Sequence, residues 1–272
     1  MIIPDSTDHD QIFPVEKAGE DEMAHQQISE AEIRQAWVRE SRIGRWFLST
    51  NVWFQYVLSV AVADLKQLAA DPGLNTDTIL DAGCGRGFAF PLLEKHFQPK
   101  TIIGVDIDEQ ELEFAAVAGN ERQCNVTIEP ASITHLSLPA ASVDVIFCHQ
   151  LLHHVTHQRE VLNEFFRVLK PGGTILISES CRSFIHSPVV RTFFRHPKGV
   201  QKSPTQYIDL VRQTGFLVEE KKTAISTPYW THSDFGLRQK LGLAGKPIEP
   251  TEILIVARKT DCQGSEKQMG SE

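Results

Sequence analysis

From residue 78 onward, short apolar, β-branched runs alternate with longer stretches of helical period. The pattern predicts strands at TIL (78–80), TIIGVD (101–106), NVTIEP (125–130), VDVIFC (143–148) and TILISE (174–179). Between them, FAFPLLEKHF, EQELEFAAVAGNE and QREVLNEFFRVL read as helices, and KPGG as a turn. SPTQYIDLVRQTGF then reads as a Ser-capped helix ending at Gly215, followed by a strand at 216–222 and a last strand, TEILIVAR, at 251–258. Strands and helices in alternation mean a mostly parallel, doubly wound α/β sheet covered on both faces.

The flanks follow other patterns. Residues 28–70 read as an N-terminal helical cap that opens with a capping-box signature, Ser29 and Glu32. Its apolar positions include Trp37, Trp46, Phe47, Trp53, Val57, Val60 and Leu65, with a break expected near Gly44 or in STN at 49–51. DPGLNTD at 71–77 is a loop. Residues 1–27 are acidic and aperiodic and 259–272 polar, so both are expected to be disordered tails. The main domain is placed at 77–258, with 182–203 and 227–248 as insertions on its substrate side.

Composition narrows the function classes. A formal charge of −8 over 272 residues argues against a broad basic face for nucleic acid. Five scattered cysteines without a CxxC pair suit reduced thiols in a cytoplasm, which is the expected location. The opening MIIPDSTDHDQ lacks the apolar core of a signal peptide, and the run at 52–65 is interrupted by Gln55 and too short to span a bilayer, so no stable membrane insertion is expected. The sequence carries no signal of oligomeric state.

ILDAGCGRGFAF is the most informative stretch. A strand ends in Asp81, glycines follow at 83, 85 and 87, and a helix begins. Glycines at alternate positions allow a tight turn and let a ligand lie on bare backbone near a helix N-terminus. A nicotinamide-binding turn is the rival reading, but its fingerprint is GxGxxG, and this spacing is GxGxG. A pyrophosphate would also be repelled by Asp81, whereas a cationic, phosphate-free ligand would gain from it. Asp106, closing the second strand, stands where a carboxylate takes both hydroxyls of a ribose.

DAGCGRG, GVDID, VDVIFCHQ and LKPGG, in this order, resemble the class I S-adenosylmethionine-dependent methyltransferase family over residues 77–222, with 251–258 as the family's reversed edge strand. The resemblance implies a seven-stranded Rossmann-like sheet and S-adenosylmethionine as cofactor. It implies cofactor contacts from Asp81, Ala82, Gly83, Cys84 and Gly85 at the methionine end, Asp106 at the ribose, Ile107, Ser132 and Ile133 around adenine, and His149 beneath the methionine part. Where the family often has an aspartate after the third strand, this chain has Ala131-Ser132-Ile133.

HQLLHHVTH (149–157) follows the fourth strand, at the edge where the transferred methyl would emerge. His149, His153 and His157 are spaced i, i+4, i+8, but no neighbouring Cys or Glu completes a ligand set, so no metal is expected. The resemblance implies a packing role for His154, and His157 reads as a solvated helix start. His149 and His153 are the candidate bases, with Glu179 on the same rim as substrate anchor, base or simply an exposed carboxylate. Trp46, Tyr229 and Trp230 are the candidate lining of an acceptor pocket, and the basic cluster from Arg182 to Lys202 reads as a solvated face. CHQL after the fourth strand is unlike the N/D-P-P-Y turn of nucleic-acid amino-methylases. The expected function is therefore methyl transfer to an O, N or C atom of a small molecule. The alternatives are a protein or RNA acceptor, or a non-catalytic S-adenosylmethionine-binding partner.

Overall fold

The computed structural model describes residues 40–228 and 249–260. Seven strands form one sheet in the order β3-β2-β1-β4-β5-β7-β6. They are β1 (Thr78–Ala82), β2 (Thr101–Asp106), β3 (Asn125–Pro130), β4 (Val143–His149), β5 (Leu169–Ser180), β6 (Phe216–Ser226) and β7 (Glu252–Lys259). The first five are parallel, and β7 runs antiparallel to both β5 and β6. The doubly wound, seven-stranded class expected from the sequence is what forms.

The chain winds outward from β1 to β3, then returns to place β4 beside β1. The crevice between the carboxyl ends of β1 and β4 is thus the switch point at which open α/β sheets bind ligands. Two cores lie on the two faces. One joins Leu162 and Phe165 of α6 (Gln158–Val168) and Tyr207 of α9 (Pro204–Gln213) to Ile146 and Ile175 of the sheet. The other joins Leu65 of α3 (Ser59–Leu68) and Phe90 and Leu93 of α4 (Phe90–Phe97) to Ile79, Ile102 and Phe147. Each of these Leu, Ile and Phe side chains, fully buried, contributes about 1.5–3 kcal/mol.

Two local expectations change, and a third is decided between its alternatives. KPGG is no separate turn but a bulge inside β5: the register passes from Val143↔Leu169 to Val145↔Thr174. Glycine is required there because a Cβ on Gly173 would lie 2.8 Å from the Lys170 carbonyl oxygen and 2.9 Å from that of Asp144. β6 runs on past 222 to Ser226, again through a bulge. The N-terminal helices break at Ser49–Thr50, not at Gly44. α1 (Arg42–Leu48) ends at Ser49, and the Thr50 hydroxyl caps α2 (Asn51–Trp53) by accepting from the Trp53 N–H at 3.3 Å. From α2 the chain passes through a π-helical turn (Phe54–Leu58) into α3. Gly44 is buried in α1, and a Cβ there would run into Glu40 Oε2 and meet the Phe194 ring at 3.1 Å.

At the opposite end of the sheet from the crevice, buried Asp144 ties three segments together. It accepts from Asn75 Nδ2 (2.9 Å), the Thr78 N–H (3.0 Å) and Lys170 Nζ (2.9 Å). Truncation strands these donors, so Asp144→Ala is expected to lower the unfolding free energy by about 2–3 kcal/mol. Urea denaturation measures this, and a change below about 0.5 kcal/mol would remove Asp144 from the framework.

Candidate active site

The glycine loop leaves β1 with three left-handed residues, Gly83, Gly85 and Gly87, at φ +74°, +50° and +74°. L side chains resist that conformation, and two of the three positions are also crowded. A Cβ on Gly83 would lie 2.7 Å from Leu151 Cδ1, and one on Gly87 would lie 2.5 Å from the Phe90 ring. At Gly85 nothing lies within 4 Å, so this glycine leaves its backbone open to a ligand. The loop is fastened to β2: the Gly83 and Cys84 N–H groups donate to the Val105 carbonyl at 2.8 and 3.0 Å. Asp106 completes the fastening. Its Oδ2 accepts from the Gly85 N–H and its Oδ1 from the Asp108 N–H, both at 2.9 Å. Each oxygen keeps a second lone pair for a ligand.

Asp81 closes the floor. It is buried, and its Oδ2 has no hydrogen-bond partner among the described residues. Burial, and next the nearby Asp106 carboxylate, push the Asp81 carboxyl up to about 8. Burial also raises Asp106, against the backbone N–H groups that favour its charge. Two shielded acids side by side, one with an unsatisfied oxygen, make this end of the crevice a place for a cation.

The other wall is the turn after β4. Gln150 follows His149 in a left-handed conformation (φ 53°), rare for a side chain of this kind. The Gln150 N–H donates to the Ser178 carbonyl (2.8 Å), and its side-chain Oε1 accepts from the Ser180 N–H (3.2 Å). Glu179 then gathers the next three residues: Oε1 accepts from the Leu151 and Leu152 N–H groups at 2.8 and 2.6 Å, and Oε2 meets His153 Nδ1 at 2.6 Å. Glu179 is fully buried with both oxygens engaged, so it is not the rim acid expected from the sequence. It positions His153 instead of facing an acceptor.

His149 ends β4 with its ring stacked on Phe147 (5.9 Å between centroids) and tilted against Trp53 (5.8 Å). Both of its ring nitrogens are shielded and unpartnered among the described residues, and burial lowers the imidazole to about 3. So weak a base makes a poor proton acceptor near neutral pH. His153, His154 and His196 form a second group, with ring centroids 4.3 Å (153–154), 5.2 Å (153–196) and 4.8 Å (154–196) apart. Burial holds His154 well below the usual range and His196 at about 3, each further lowered by its imidazole neighbours. Glu40 stands beside them, its Oε2 accepting from the Ser41 and Arg195 N–H groups (3.0 and 3.3 Å).

A single cavity of about 580 Å³ joins these parts, within the usual size of a small-molecule site. Asp81, Gly83, Cys84, Gly85, Asp106, His149 and His153 line it, as does Trp46 from α1. Ala82, Ile107, Ser132 and Ile133 do not: Ala82 is buried in the core, Ile133 packs on that core, and Ser132 Oγ bonds Thr134 Oγ1 at 2.7 Å. Tyr229 and Trp230 lie outside the described residues. The cavity roof is the insertion after β5, whose Phe194 meets Phe47 of α1 edge-on (5.8 Å). No local motif marks Glu40 or His196 as a site residue in the sequence. The nearest signal is the basic, His-containing cluster read as a solvated face; His196 proves largely covered.

The neutral histidines are directly testable. Because burial lowers these imidazoles, protonation is displaced to lower pH, so His149 and His196 are expected to stay neutral down to about pH 5. Histidine ¹⁵N chemical shifts, assigned with His149→Asn and His196→Asn, measure this. A titration midpoint near 6.5 for either would overturn the burial argument.

Residues 80–177 match the family model for a methyltransferase domain. Among curated proteins, the chain is 34% identical over 143 residues to a probable S-adenosylmethionine-dependent methyltransferase of Mycolicibacterium smegmatis, covering 52% of each. It is 31% identical over 144 residues to a phosphoethanolamine N-methyltransferase of Triticum aestivum (53% of this chain, 27% of that one). It is 30% identical over 120 residues to a ubiquinone biosynthesis O-methyltransferase of Coxiella burnetii (44% and 50%). The chain thus spans about half the length, or less, of these relatives. An S-adenosylmethionine-dependent methyltransferase from Mesorhizobium loti shares the fold, with a TM-score of 0.52 at 22% identity over 73% of this chain and 97% of that one.

Proposed function

We propose that this chain, whose residues 80–177 match the model of a methyltransferase domain, is a class I S-adenosylmethionine-dependent methyltransferase that transfers a methyl group to an oxygen, nitrogen or carbon atom of a small molecule. The observation that carries the reading is the buried, unpartnered Asp81 Oδ2 beside the Gly85 backbone and Asp106, at the switch point of the sheet. These residues fit S-adenosylmethionine. Asp81 meets its positive charge, Gly85 lets it approach the backbone, and the spare lone pairs of Asp106 take the ribose hydroxyls. When bound, the cofactor supplies a methyl group on a sulfonium, already a strong electrophile.

The chain's part is then to position the acceptor and exclude water, which can supply most of the rate of an in-line displacement. Trp46, Trp53 and Phe47 provide the apolar wall that holds the acceptor. His149 contacts bound ligands as a neutral ring. His153, oriented through Nδ1 by Glu179, is the group placed to receive a proton when the acceptor is a hydroxyl or amine. The names of the wheat and Coxiella relatives, a phosphoethanolamine N-methyltransferase and a ubiquinone biosynthesis O-methyltransferase, support a small-molecule acceptor. Among the described residues no helix is long and apolar enough to cross a membrane.

Linkage gives a sharp test. Asp81 holds its proton up to about pH 8 in the protein alone, and a bound cation favours its ionised form. S-adenosylmethionine binding is therefore expected to release a proton near pH 7 and to tighten as pH rises toward 8. Calorimetry in buffers of different ionisation enthalpy reads both, and Asp81→Asn should abolish both. Asp106→Ala should weaken binding by about 1.5–3 kcal/mol, or 10- to 150-fold. His153→Ala should leave cofactor affinity within about threefold while lowering kcat about 10²–10⁴-fold with an accepted substrate. Absence of S-adenosylmethionine binding would overturn the reading, and binding without S-adenosylhomocysteine formation from any small-molecule pool would favour the non-catalytic alternative.

A further inference from the structure

The histidines at the roof of the cavity bring together what no stretch of sequence contains. His153 and His154 come from the 3₁₀ turn after β4 (Leu152–His154), and His196 from the insertion after β5. One nitrogen of each lies within 4.8 Å of the others. Glu40, from just before α1, turns its Oε1 toward the same point, 3.7 Å from His154 Nε2 and 3.9 Å from His196 Nε2. That oxygen is buried and has no hydrogen-bond partner among the described residues, and the same holds for His154 Nδ1. Buried polar atoms left unpaired are costly and call for an explanation.

The surroundings fix these side chains as ligands are fixed. Glu40 Oε2 is anchored by two backbone N–H groups, which leaves Oε1 as the presented atom. Glu179 accepts from His153 Nδ1, which leaves Nε2 free; carboxylates behind metal-bound histidines set tautomer and ring orientation in this way. Gln158 and Gln201 hold the turn and the insertion together: Gln158 Nε2 donates to the Leu152 and Val200 carbonyls (2.7 and 3.1 Å), and Gln201 Nε2 to that of His153 (3.5 Å). A purely packing cluster would account for the stacked rings but not for the orphaned carboxylate oxygen aimed at them.

We propose that His153, His154 and His196, with Glu40 as fourth donor, bind one divalent transition-metal ion of the zinc type. Three imidazoles and a carboxylate suit zinc, cobalt or nickel and disfavour magnesium or calcium, which want an all-oxygen shell. Zinc–nitrogen bonds of about 2.0–2.1 Å put two tetrahedral ligands about 3.4 Å apart, so the rings need to draw in by an ångström or so. The ion ties the N-terminal segment, the turn and the insertion into one roof. All four ligands line the cavity, so a shell that expands from four donors to five would take its fifth from the cavity side. Resting on the methyl-transfer reading above, an acceptor with an anionic oxygen is the class of ligand that position would take; with Nδ1 on Glu179 and Nε2 on the ion, His153 then holds the metal and does not itself receive the proton.

The test uses the full chain, stripped with a chelator and titrated with Zn²⁺, Co²⁺ and Mg²⁺ by calorimetry, with the visible spectrum of the Co²⁺ form recorded. Expected are one Zn²⁺ or Co²⁺ per chain at micromolar Kd or tighter, imidazole-type Co²⁺ bands, and no Mg²⁺ binding. His196→Ala should weaken binding at least 100-fold and Glu40→Gln at least 10-fold, while His157→Ala, exposed and outside the cluster, should change nothing. Zn²⁺ binding no tighter in the wild-type chain than in a His154→Ala/His196→Ala variant overturns the proposal. If His196→Ala fails to fold by circular dichroism, Glu40→Gln, which keeps its volume, decides. S-adenosylmethionine affinity is read on the same preparations. In the wild-type chain, no Zn²⁺ binding with cofactor binding intact sinks this inference alone, and Zn²⁺ binding without cofactor binding sinks only the reading of function.

Discussion

One buried carboxylate sets the geometry on which the rest of the cavity depends. Glu179, at the end of β5, reaches across to the turn after β4 and takes two consecutive backbone N–H groups and the His153 ring. Consecutive N–H groups point the same way only in a sharply turned backbone, and the left-handed Gln150 just before them provides that turn. A left-handed residue with a side chain costs on the order of 1–3 kcal/mol and persists only where its surroundings over-determine it. Glu179, the Ser178 carbonyl and the Ser180 N–H do so here. The same turn seats Leu151 against Gly83, so the glycine loop and the histidine turn constrain each other across the switch point.

The two ends of the cavity are electrostatic opposites built by one cause. Dehydration disfavours charge at both, so it keeps a proton on Asp81 and keeps protons off His149 and His196. A neutral acid beside a neutral base-rich wall costs the fold little, yet each responds to a cation in its own way. At Asp81 a cation replaces a proton. At the histidines it can only add to lone pairs already presented. On the two readings proposed above, the cavity would sort positively charged ligands by kind, a sulfonium compound toward the acids and a zinc-type ion toward the imidazoles.

How much is legible in the sequence depends on how local each signal is. Strands β1 to β5 and the glycine loop announce themselves through runs of Val, Ile and Leu and through glycines whose positive φ is a single-residue property. Asp81, Gly83, Gly85 and Asp106 are legible because they stand at strand ends, where topology alone brings them together. Where a bulge replaces a turn, as at KPGG, the same residues read correctly as special backbone and wrongly as a break. The deciding factor, the approach of Asp144, belongs to another strand. Glu179 looks like a rim acid because it ends a strand on the ligand side. Its burial is decided by Leu151, Leu152 and His153, which fold over it.

The histidines show the limit most clearly. Spacing alone offers His149, His153 and His157, a helical series that holds only if the segment is a helix. The chain instead makes a single 3₁₀ turn at Leu152–His154, where adjacent residues splay and helical i, i+4 spacing has no meaning. His149 is claimed by Phe147 and Trp53, His157 pairs with Glu160 in solvent, and the partners of His153 and His154 arrive from Glu40 and His196. Those two come from the segments that most resemble mere covering: a helix start and a basic insertion. A lid must touch what it covers, so the residues that finish a site can lie in the parts with the least periodic signal, fixed by where the frame holds them.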